Sequence, residues 1–298
     1  MAEAGNTTGT SESADLAADT AVVSLRAAPG WYTAELPDHW NFRTPSGGVL
    51  MTLALRAMQA EIDDPSFLPV SATTVFCSPV PHGPVEIRVE VLRRGNAATQ
   101  VRAALSSTAL PGPGLEVSAT FARERTFTEL DEAKFPDVPM PGEAPDAVDD
   151  TPHNPHTRAK FFRNFDARIA DGERWWSGDW KGGAARYARW IRYKQPQMLA
   201  DGTLDPFCLP PIADTMPAAV VQGMGPSIKW FIAPSLDLTV HFLERTTSEW
   251  LLVSAYSRRA RGGNATAEVE IWSEDRRLIA YGNQMMMLRE WPHSSKKL

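Results

Sequence analysis

One stretch of the chain, residues 45–58 with the sequence PSGGVLMTLALRAM, is apolar on nearly every side. Strong helix formers dominate it, which predicts a helix. Only Thr52 and Arg56 interrupt the apolar run after the two glycines, and a helix without a polar face is expected to be buried all round. About fourteen residues at 1.5 Å each span roughly 21 Å, too short to cross a bilayer. The pattern therefore predicts a central helix that a sheet must wrap.

The segments around this helix alternate between apolar and polar residues, as half-buried strands do. Residues 85–91 (VEIRVEV) alternate strictly, and RRGN at 93–96 is typical of a hairpin turn. The same criteria predict strands in the first half at 22–27, 31–36, 71–80, 99–105 and 116–121. In the second half they predict a shorter helix over 215–222 and strands at 161–169, 236–243, 250–256, 267–272 and 278–287.

The two halves repeat the same order of elements. Phe76 and Phe242 both follow a helix and are 166 residues apart, and Arg123-Glu124 and Arg289-Glu290 close the last strands at the same offset. That offset also sets Gly48 opposite Asp214. A duplicated unit of one helix and about four strands predicts an α+β double hot-dog, in which two antiparallel sheets lie side by side and each wraps a central helix.

Composition divides the chain further. Residues 1–21 contain no Lys, Arg or aromatic residue, are rich in small and polar side chains, and are predicted to be a disordered tail. The proline-rich acidic stretch 129–159 is predicted to link hot-dog domains at 22–128 and 160–292. The net charge of −6 predicts no nucleic-acid or membrane partner. Two isolated cysteines and the lack of a secretory signal favour a cytoplasmic location.

The order of these motifs resembles the acyl-CoA thioesterase II family of double hot-dog enzymes and its broader thioesterase-like relatives. The residues that carry the resemblance are Trp40, Gly47-Gly48, Phe76, Pro79-Val80, 83–87 and 91–95 in the first half, and Asp214, 234–237, His241-Phe242, 249–252, Ile271-Trp272, Gln284 and Arg289 in the second. The resemblance implies hydrolysis of acyl-CoA thioesters in lipid metabolism, with the attacking water held by Asp214, Ser235 and Gln284. Ser235 stands where the family more often has Thr, and its match requires a one-residue gap.

A thioester carbonyl is reactive enough for a positioned water, a base and hydrogen-bond donors to suffice. Asp214 is assigned as the base, and Ser235 and Gln284 as groups that hold the water. The backbone N–H groups at the start of the helix over 215–222 or of that over 48–58 are assigned as donors to the carbonyl. The candidate substrate-binding residues are Gly47, Gly48, Thr215, Arg258 and Arg261, the arginines through the phosphates of coenzyme A. We predict no metal and no cofactor, and we expect a homodimer because hot-dog sheets often associate.

Simpler readings compete with these assignments. Asp214 before a Thr-Met-Pro helix start is typical of an N-cap, Gln284 of a satisfied buried polar residue, and the arginines of a solvated hairpin tip. Two other functions stay open: an enoyl-thioester hydratase or dehydratase that uses His39, and a non-catalytic acyl-thioester binder. Because Gly48 replaces Asp214 in the first half, the opening helix is predicted to be the scaffold copy, with no side chain able to activate water. Its glycines are predicted to allow close backbone approach to the acyl group or to the other half.

Overall fold

The computed structural model describes residues 14–25, 27–227 and 231–290. Its helices are α1 (Leu16–Asp19), α2 (Gly47–Ile62), α3 (Pro155–Arg158), α4 (Leu209–Ala213) and α5 (Pro217–Met224). Its strands are β1 (Val23–Ser24), β2 (Trp31–Leu36), β3 (Phe67–Phe76), β4 (Gly83–Arg94), β5 (Ala98–Ser107), β6 (Leu115–Arg123), β7 (Phe165–Asp171), β8 (Arg186–Tyr193), β9 (Phe231–Ile232), β10 (Asp237–Phe242), β11 (Leu251–Arg261), β12 (Asn264–Ser273), β13 (Leu278–Met287) and β14 (Arg289–Glu290). None of the helices in these ranges is long and apolar enough to cross a membrane.

The central helix α2 confirms the prediction from the apolar run and extends it by one turn, to Ile62. The two polar residues that interrupt the run bind the second half of the chain. Thr52 donates a hydrogen bond to the carbonyl of Phe207 at 2.7 Å, and Arg56 forms a 2.7 Å ion pair with Asp205. These contacts let polar groups lie on a buried helix, because each is satisfied by a partner. They also attach the first half to the segment that leads into α4.

The strands form one continuous twelve-stranded sheet, which corrects the prediction of two sheets lying side by side. Its order is β1-β2-β4-β5-β6-β3-β10-β13-β12-β11-β8-β7, and a second small sheet pairs β14 with β9. Each half supplies six strands, and from the edge of the sheet to its centre the strands of both halves follow the same order along the chain. The halves join where β3 and β10 pair antiparallel, and there the hydroxyl oxygens of Thr73 and Thr239 lie 3.0 Å apart. Because these residues are 166 positions apart, an approximate two-fold axis passes between them.

The stretch between the two halves packs against the sheet. From residues 129–159, Phe135, Val138, Met140 and Ala144 cover Trp190 and Trp272 on the face opposite the helices. The indole N–H of Trp190 donates to the carbonyl of Pro139 at 2.8 Å. The segment therefore forms part of the hydrophobic core of the second half. The domain boundaries drawn on either side of it remain predictions.

The end of the predicted tail also packs on the protein. Residues 1–13 lie outside the described part of the chain, but α1 follows, and its Leu16 is fully buried. Asp19 accepts a 2.9 Å hydrogen bond from the indole N–H of Trp40. The prediction of a disordered tail is therefore wrong for residues 14–21, because a single buried leucine and a capped short helix attach this segment to the first half.

Candidate active site

Asp214 lies in the short connection between α4 and α5. Pro210 and Pro211 lie in the first turn of α4, and Pro217 begins α5. The first turn of a helix tolerates proline because its N–H groups have no partner within the helix. Asp214 is the residue that ends α4, whereas the N-cap of α5 is Met216 and uses no side chain. The alternative that Asp214 caps its own following helix is therefore wrong. Asp214 is 7% exposed, and its carboxylate contacts α2 instead of α5.

The carboxylate of Asp214 instead caps the opening helix α2 of the other half. Its Oδ2 accepts hydrogen bonds from the backbone N–H of Gly48 and from the hydroxyl of Ser46, both at 3.1 Å. Ser46 is the N-cap residue of α2, yet its hydroxyl makes no hydrogen bond to the helix. A carboxylate at the positive end of a helix is favourable. Of the two close approaches predicted for the glycines of α2, the structure shows the one to the other half, where the first turn of α2 holds the candidate base.

The two glycines at the start of α2 permit this contact. A Cβ atom on Gly47 would lie 2.6 Å from the ring of Phe76 and 3.2 Å from Oδ2 of Asp214. A Cβ atom on Gly48 would lie 2.2 Å from the carbonyl oxygen of Pro210. A side chain at Gly48 would thus separate α2 from α4, and one at Gly47 would overlap Phe76 and crowd the carboxylate. Gly47 and Gly48 contribute close backbone approach rather than a contact made by a side chain.

Ser235 and Gln284 continue the hydrogen-bond series from the other oxygen of Asp214. The Ser235 hydroxyl donates to Oδ1 at 3.0 Å and accepts from Nε2 of Gln284 at 2.9 Å. Ser235 precedes β10 and bridges to Met286, while Gln284 lies in β13 and is 2% exposed. Because Nε2 is committed to Ser235, Oε1 of Gln284 is a buried acceptor with no partner among the described residues. The three residues that the resemblance selected form one connected network.

Burial raises the pKa of Asp214 above its usual value, because desolvation penalises the ionised carboxylate. The hydrogen bonds from Gly48, Ser235 and Ser46, and that from the N–H of Gly47, act in the opposite direction and limit the rise. The donors around the carboxylate thus favour its ionised form against the effect of burial. A carboxylate with a raised pKa is a stronger base than an exposed one.

The other predicted binding residues do not join this network. Thr215 donates its hydroxyl to the carbonyl of Ile212 at 2.7 Å and closes the turn after α4. Arg258 is exposed and forms a 2.8 Å ion pair with Glu268 on the neighbouring strand. Arg261 ends β11 at an exposed hairpin tip. Their contact with substrate remains a prediction, and the solvated hairpin reading agrees with the exposure of both arginines.

Sequence reasoning missed Ser46, which contacts the carboxylate directly. A serine just before a helix normally predicts an N-cap for that helix, and nothing local indicates that its hydroxyl turns to a residue 168 positions away. The glycine pair after it was the available signal. Two adjacent glycines at a helix start suggest that another part of the chain comes close there.

Two family models match the chain. The model described as the acyl-CoA thioesterase N-terminal domain matches residues 36–122, and that described as the acyl-CoA thioesterase C-terminal domain matches residues 139–288. The second match includes Asp214, Ser235 and Gln284. No curated protein sequence matches the chain significantly.

Solved structures with the same fold extend over nearly the whole chain. A hot-dog protein of unknown function from Alicyclobacillus acidocaldarius is 21% identical, with a TM-score of 0.75 over 93% of this chain and 98% of that one. Acyl-CoA thioesterase II TesB2 from Mycobacterium marinum is 20% identical, with a TM-score of 0.71 over 93% of this chain and 99% of that one. The tesB protein of Mycobacterium avium subspecies paratuberculosis is 18% identical, with a TM-score of 0.70 over 92% and 98%. The structural similarity shows a hot-dog fold, and the two family matches together show that the chain belongs to the acyl-CoA thioesterase family.

Proposed function

We propose that the protein hydrolyses an acyl-CoA thioester to free coenzyme A and a carboxylic acid, using a water molecule held by Asp214, Ser235 and Gln284. The observation that carries the proposal is the unbroken hydrogen-bond series from the start of α2 through Asp214 and Ser235 to Gln284. The family membership supports the reaction class. The burial of the Asp214 carboxylate among hydrogen-bond donors supports a base-assisted attack by water.

In this mechanism Gln284 offers its free Oε1 to one hydrogen of the water, and Asp214 accepts the other as a proton. The water oxygen forms a bond to the thioester carbonyl carbon, and the C–S bond then breaks. The thiolate of coenzyme A leaves and takes up a proton. Ser235 fixes the relative positions of the carboxylate and the amide, because it donates to the first and accepts from the second.

The start of α2 has a different role from the one expected. The N–H of Gly48 is bonded to Asp214, so it is assigned to holding the base rather than to polarising the substrate carbonyl. The positive end of the helix stabilises the negative charge that the ionised carboxylate brings into the site. The first half therefore contributes electrostatics and the second half contributes the reacting side chains.

The hydratase alternative needs a histidine beside a carboxylate near a helix start. His39 is exposed, and no histidine contacts Asp214 among the residues that the structure describes. Hydrolysis is therefore favoured. The homodimer and the cytoplasmic location remain predictions from the sequence.

The test is release of free thiol from a panel of acyl-CoA substrates by the wild-type protein and by Asp214→Asn. We expect kcat/KM to fall at least about a hundredfold in the variant, because the amide cannot accept the proton of the water. The matched control is Asp237→Asn. Asp237 accepts a 2.8 Å hydrogen bond from the N–H of Met285, which an asparagine oxygen can still accept, so this variant should keep its activity.

Two outcomes would contradict the proposal. Wild-type kcat/KM in Asp214→Asn would remove Asp214 from the mechanism. Tight binding of acyl-CoA by the wild-type protein without turnover across the panel would favour the non-catalytic binder.

A further inference from the structure

A buried arginine in the second half has no carboxylate partner in the described part of the chain. Arg189 lies in β8 and is 3% exposed. Its one hydrogen bond there runs from Nη1 to Nε2 of His156 at 3.5 Å. A guanidinium group carries five N–H donors, and a buried cation without hydrogen-bonded counter-charge is strongly unfavourable. Arg189 therefore has donors for which the described residues supply no acceptor.

Aromatic rings surround the guanidinium in place of acids. Its Cζ lies 5.1 Å from the ring centre of Phe162 and 5.2 Å from that of Tyr187. The His156 ring in turn packs on Phe162 at 4.6 Å and on Trp176 at 5.6 Å. Cation–π contacts of this kind stabilise the charge, but they leave its in-plane N–H donors unsatisfied.

Two more donors without an acceptor lie beside Arg189. The hydroxyl of Tyr187 and Nδ1 of His156 are buried and have no hydrogen-bond partner among the described residues. Arginine can only donate, so Nε2 of His156 accepts from it and Nδ1 carries the proton. Burial and the neighbouring Arg189 lower the pKa of His156 to about 3, which keeps the ring neutral. Arg189, Tyr187 and His156, here called the Arg189 cluster, thus present three donor groups and need an anionic acceptor.

The first half shows how the same position is satisfied by a carboxylate. Arg189 pairs with Val253 of β11. The residue 166 positions before Val253 is Ile87 in β4, and it pairs with Tyr32. Tyr32 is therefore the first-half counterpart of Arg189. The hydroxyl of Tyr32 donates to Oε2 of Glu61, near the end of α2, at 2.8 Å. The shorter helix α5 has the sequence PAAVVQGM and contains no acid. The second half has kept a donor at this position, but none of its described residues places a carboxylate to accept from it.

The cluster lies on the helix side of the sheet, where Asp214 also lies. Tyr187 and Ile191, which flank Arg189 on the same face of β8, belong to the main core. Farther along this face, the hydroxyl of Tyr193 donates to the carbonyl of Cys208, directly before α4, at 2.7 Å. Residues 189 and 193 are four positions apart on a strand, which is about 13 Å. The cluster and the segment that leads into α4 and Asp214 therefore lie against the same face of β8.

We propose that the Arg189 cluster binds a carboxylate at the far end of the acyl chain, so that the protein prefers a dicarboxylic acyl-CoA to an unsubstituted fatty acyl-CoA. The inference rests on the proposed thioesterase function and names the substrate class of the same site. A carboxylate matches the guanidinium in a bidentate fashion and can also accept from a phenol and an imidazole N–H. An unsubstituted chain end would leave all three donors unsatisfied.

The test compares suberoyl-CoA with octanoyl-CoA, two thioesters of equal chain length that differ in the terminal carboxylate. We expect the wild-type protein to favour suberoyl-CoA in kcat/KM by at least about tenfold, as one charge-assisted contact provides. In Arg189→Met the ratio should fall to about one, with the loss confined to suberoyl-CoA. In Tyr187→Phe, which removes one unpaired hydroxyl and nothing else, the ratio should fall partway. The matched control, Tyr32→Phe, should keep the wild-type ratio.

A second measurement does not depend on turnover. Free suberate should raise the melting temperature of the wild-type protein, and of Asp214→Asn, but not that of Arg189→Met. This readout separates failure of the inference from failure of the proposed chemistry. An equal kcat/KM for the two thioesters in the wild-type protein, or an unchanged preference in Arg189→Met, would overturn the inference. If Arg189→Met does not fold, an unchanged preference in Tyr187→Phe would do so.

Discussion

The two halves of the molecule carry different residues at the three positions that build the candidate active site. In the first half, the counterparts of Asp214, Ser235 and Gln284 are Gly48, Pro69 and Ala119, respectively. The pairing of the strands establishes the match. Pro69 pairs with Phe121 just before an irregularity in β3. In the same way, Ser235 pairs with Met286 just before β10. Ala119 and Gln284 lie opposite Val101 and Ala267, which are themselves 166 positions apart. None of the three first-half side chains can donate or accept a hydrogen bond.

The difference teaches how a duplicated fold can place two unlike contributions in one site. Gly48 and Asp214 are equivalent residues and touch each other across the approximate two-fold axis. Two aspartates there would bring like charges together, and two glycines would leave the start of α2 without an anion. The Asp214 side chain can approach the start of α2 because its counterpart, Gly48, has no side chain. The site therefore belongs to both halves, although the reacting groups come from one.

The largest expected effect comes from giving the first-half position a side chain. In Gly48→Ala the new methyl group would overlap the carbonyl of Pro210, which is 2.2 Å from the Cβ position. Backbone cannot move aside as a flexible side chain can, so we expect a loss of about 2–3 kcal/mol in the free energy of unfolding. Because α2 would be displaced from Asp214, kcat/KM should also fall by about a hundredfold or more. Urea unfolding and thiol release measure the two effects.

The control for this variant is Gly142→Ala. A Cβ atom there meets nothing within 4 Å, so both stability and activity should stay near wild type. If Gly48→Ala were as stable and as active as Gly142→Ala, the close contact between the halves would not be needed for the site.

A smaller effect is expected when Gln284 is made like its counterpart. Gln284→Ala reproduces the residue found at Ala119 and removes both the hydrogen bond to Ser235 and the buried free acceptor Oε1. The water would lose one of its two anchors, and kcat/KM should fall by about tenfold to a hundredfold. Stability should change little, because an unpaired buried acceptor is removed together with the packing of the side chain.

Gln100→Ala is the matched control, since Gln100 lies in β5 of the first half and also has a buried, unpaired Oε1. Its activity should stay at the wild-type level. A loss of the same size in both variants would mean that sheet packing, and not the position of the water, sets the rate.

The fold could be predicted where one side of an element faces the core. The strict alternation in β4 and the apolar run of α2 follow from that condition, and the structure confirms both elements. Strand β8 was missed because both of its faces are buried. Tyr187 and Ile191 lie in the main core, and Ala188 and Trp190 lie under the segment that joins the halves, so no alternation remains to be read. The single sheet was missed because pairing between β3 and β10 depends on backbone hydrogen bonds across the axis, which leave no local pattern.

The candidate site could be predicted only as far as the resemblance extended. It selected Asp214, Ser235 and Gln284 but not the way they connect, and the competing reading of Asp214 as the N-cap of the following helix was wrong. Ser46 was missed, and Gly47 and Gly48 were expected to bind substrate rather than to hold Asp214, because these contacts join residues that are far apart in sequence. The repeat indicated this contact. The offset of 166 residues makes Gly48 and Asp214 equivalent positions, and equivalent positions close to a two-fold axis are neighbours.

The smallest expected effect is that of Ser46→Ala, which tests whether the first half tunes the base. The hydroxyl of Ser46 donates to Oδ2 of Asp214 and stabilises the ionised carboxylate, so it lowers the pKa of Asp214 against the rise caused by burial. Without it the pKa of Asp214 should rise further. Because the base acts in its ionised form, the acidic limb of the kcat/KM profile should move to higher pH, while activity above that limb falls less than about tenfold. Ser78→Ala removes an exposed hydroxyl that donates to Pro113 and should leave the profile in place. An unmoved acidic limb in Ser46→Ala would mean that Gly48 and Ser235 alone set the charge of Asp214.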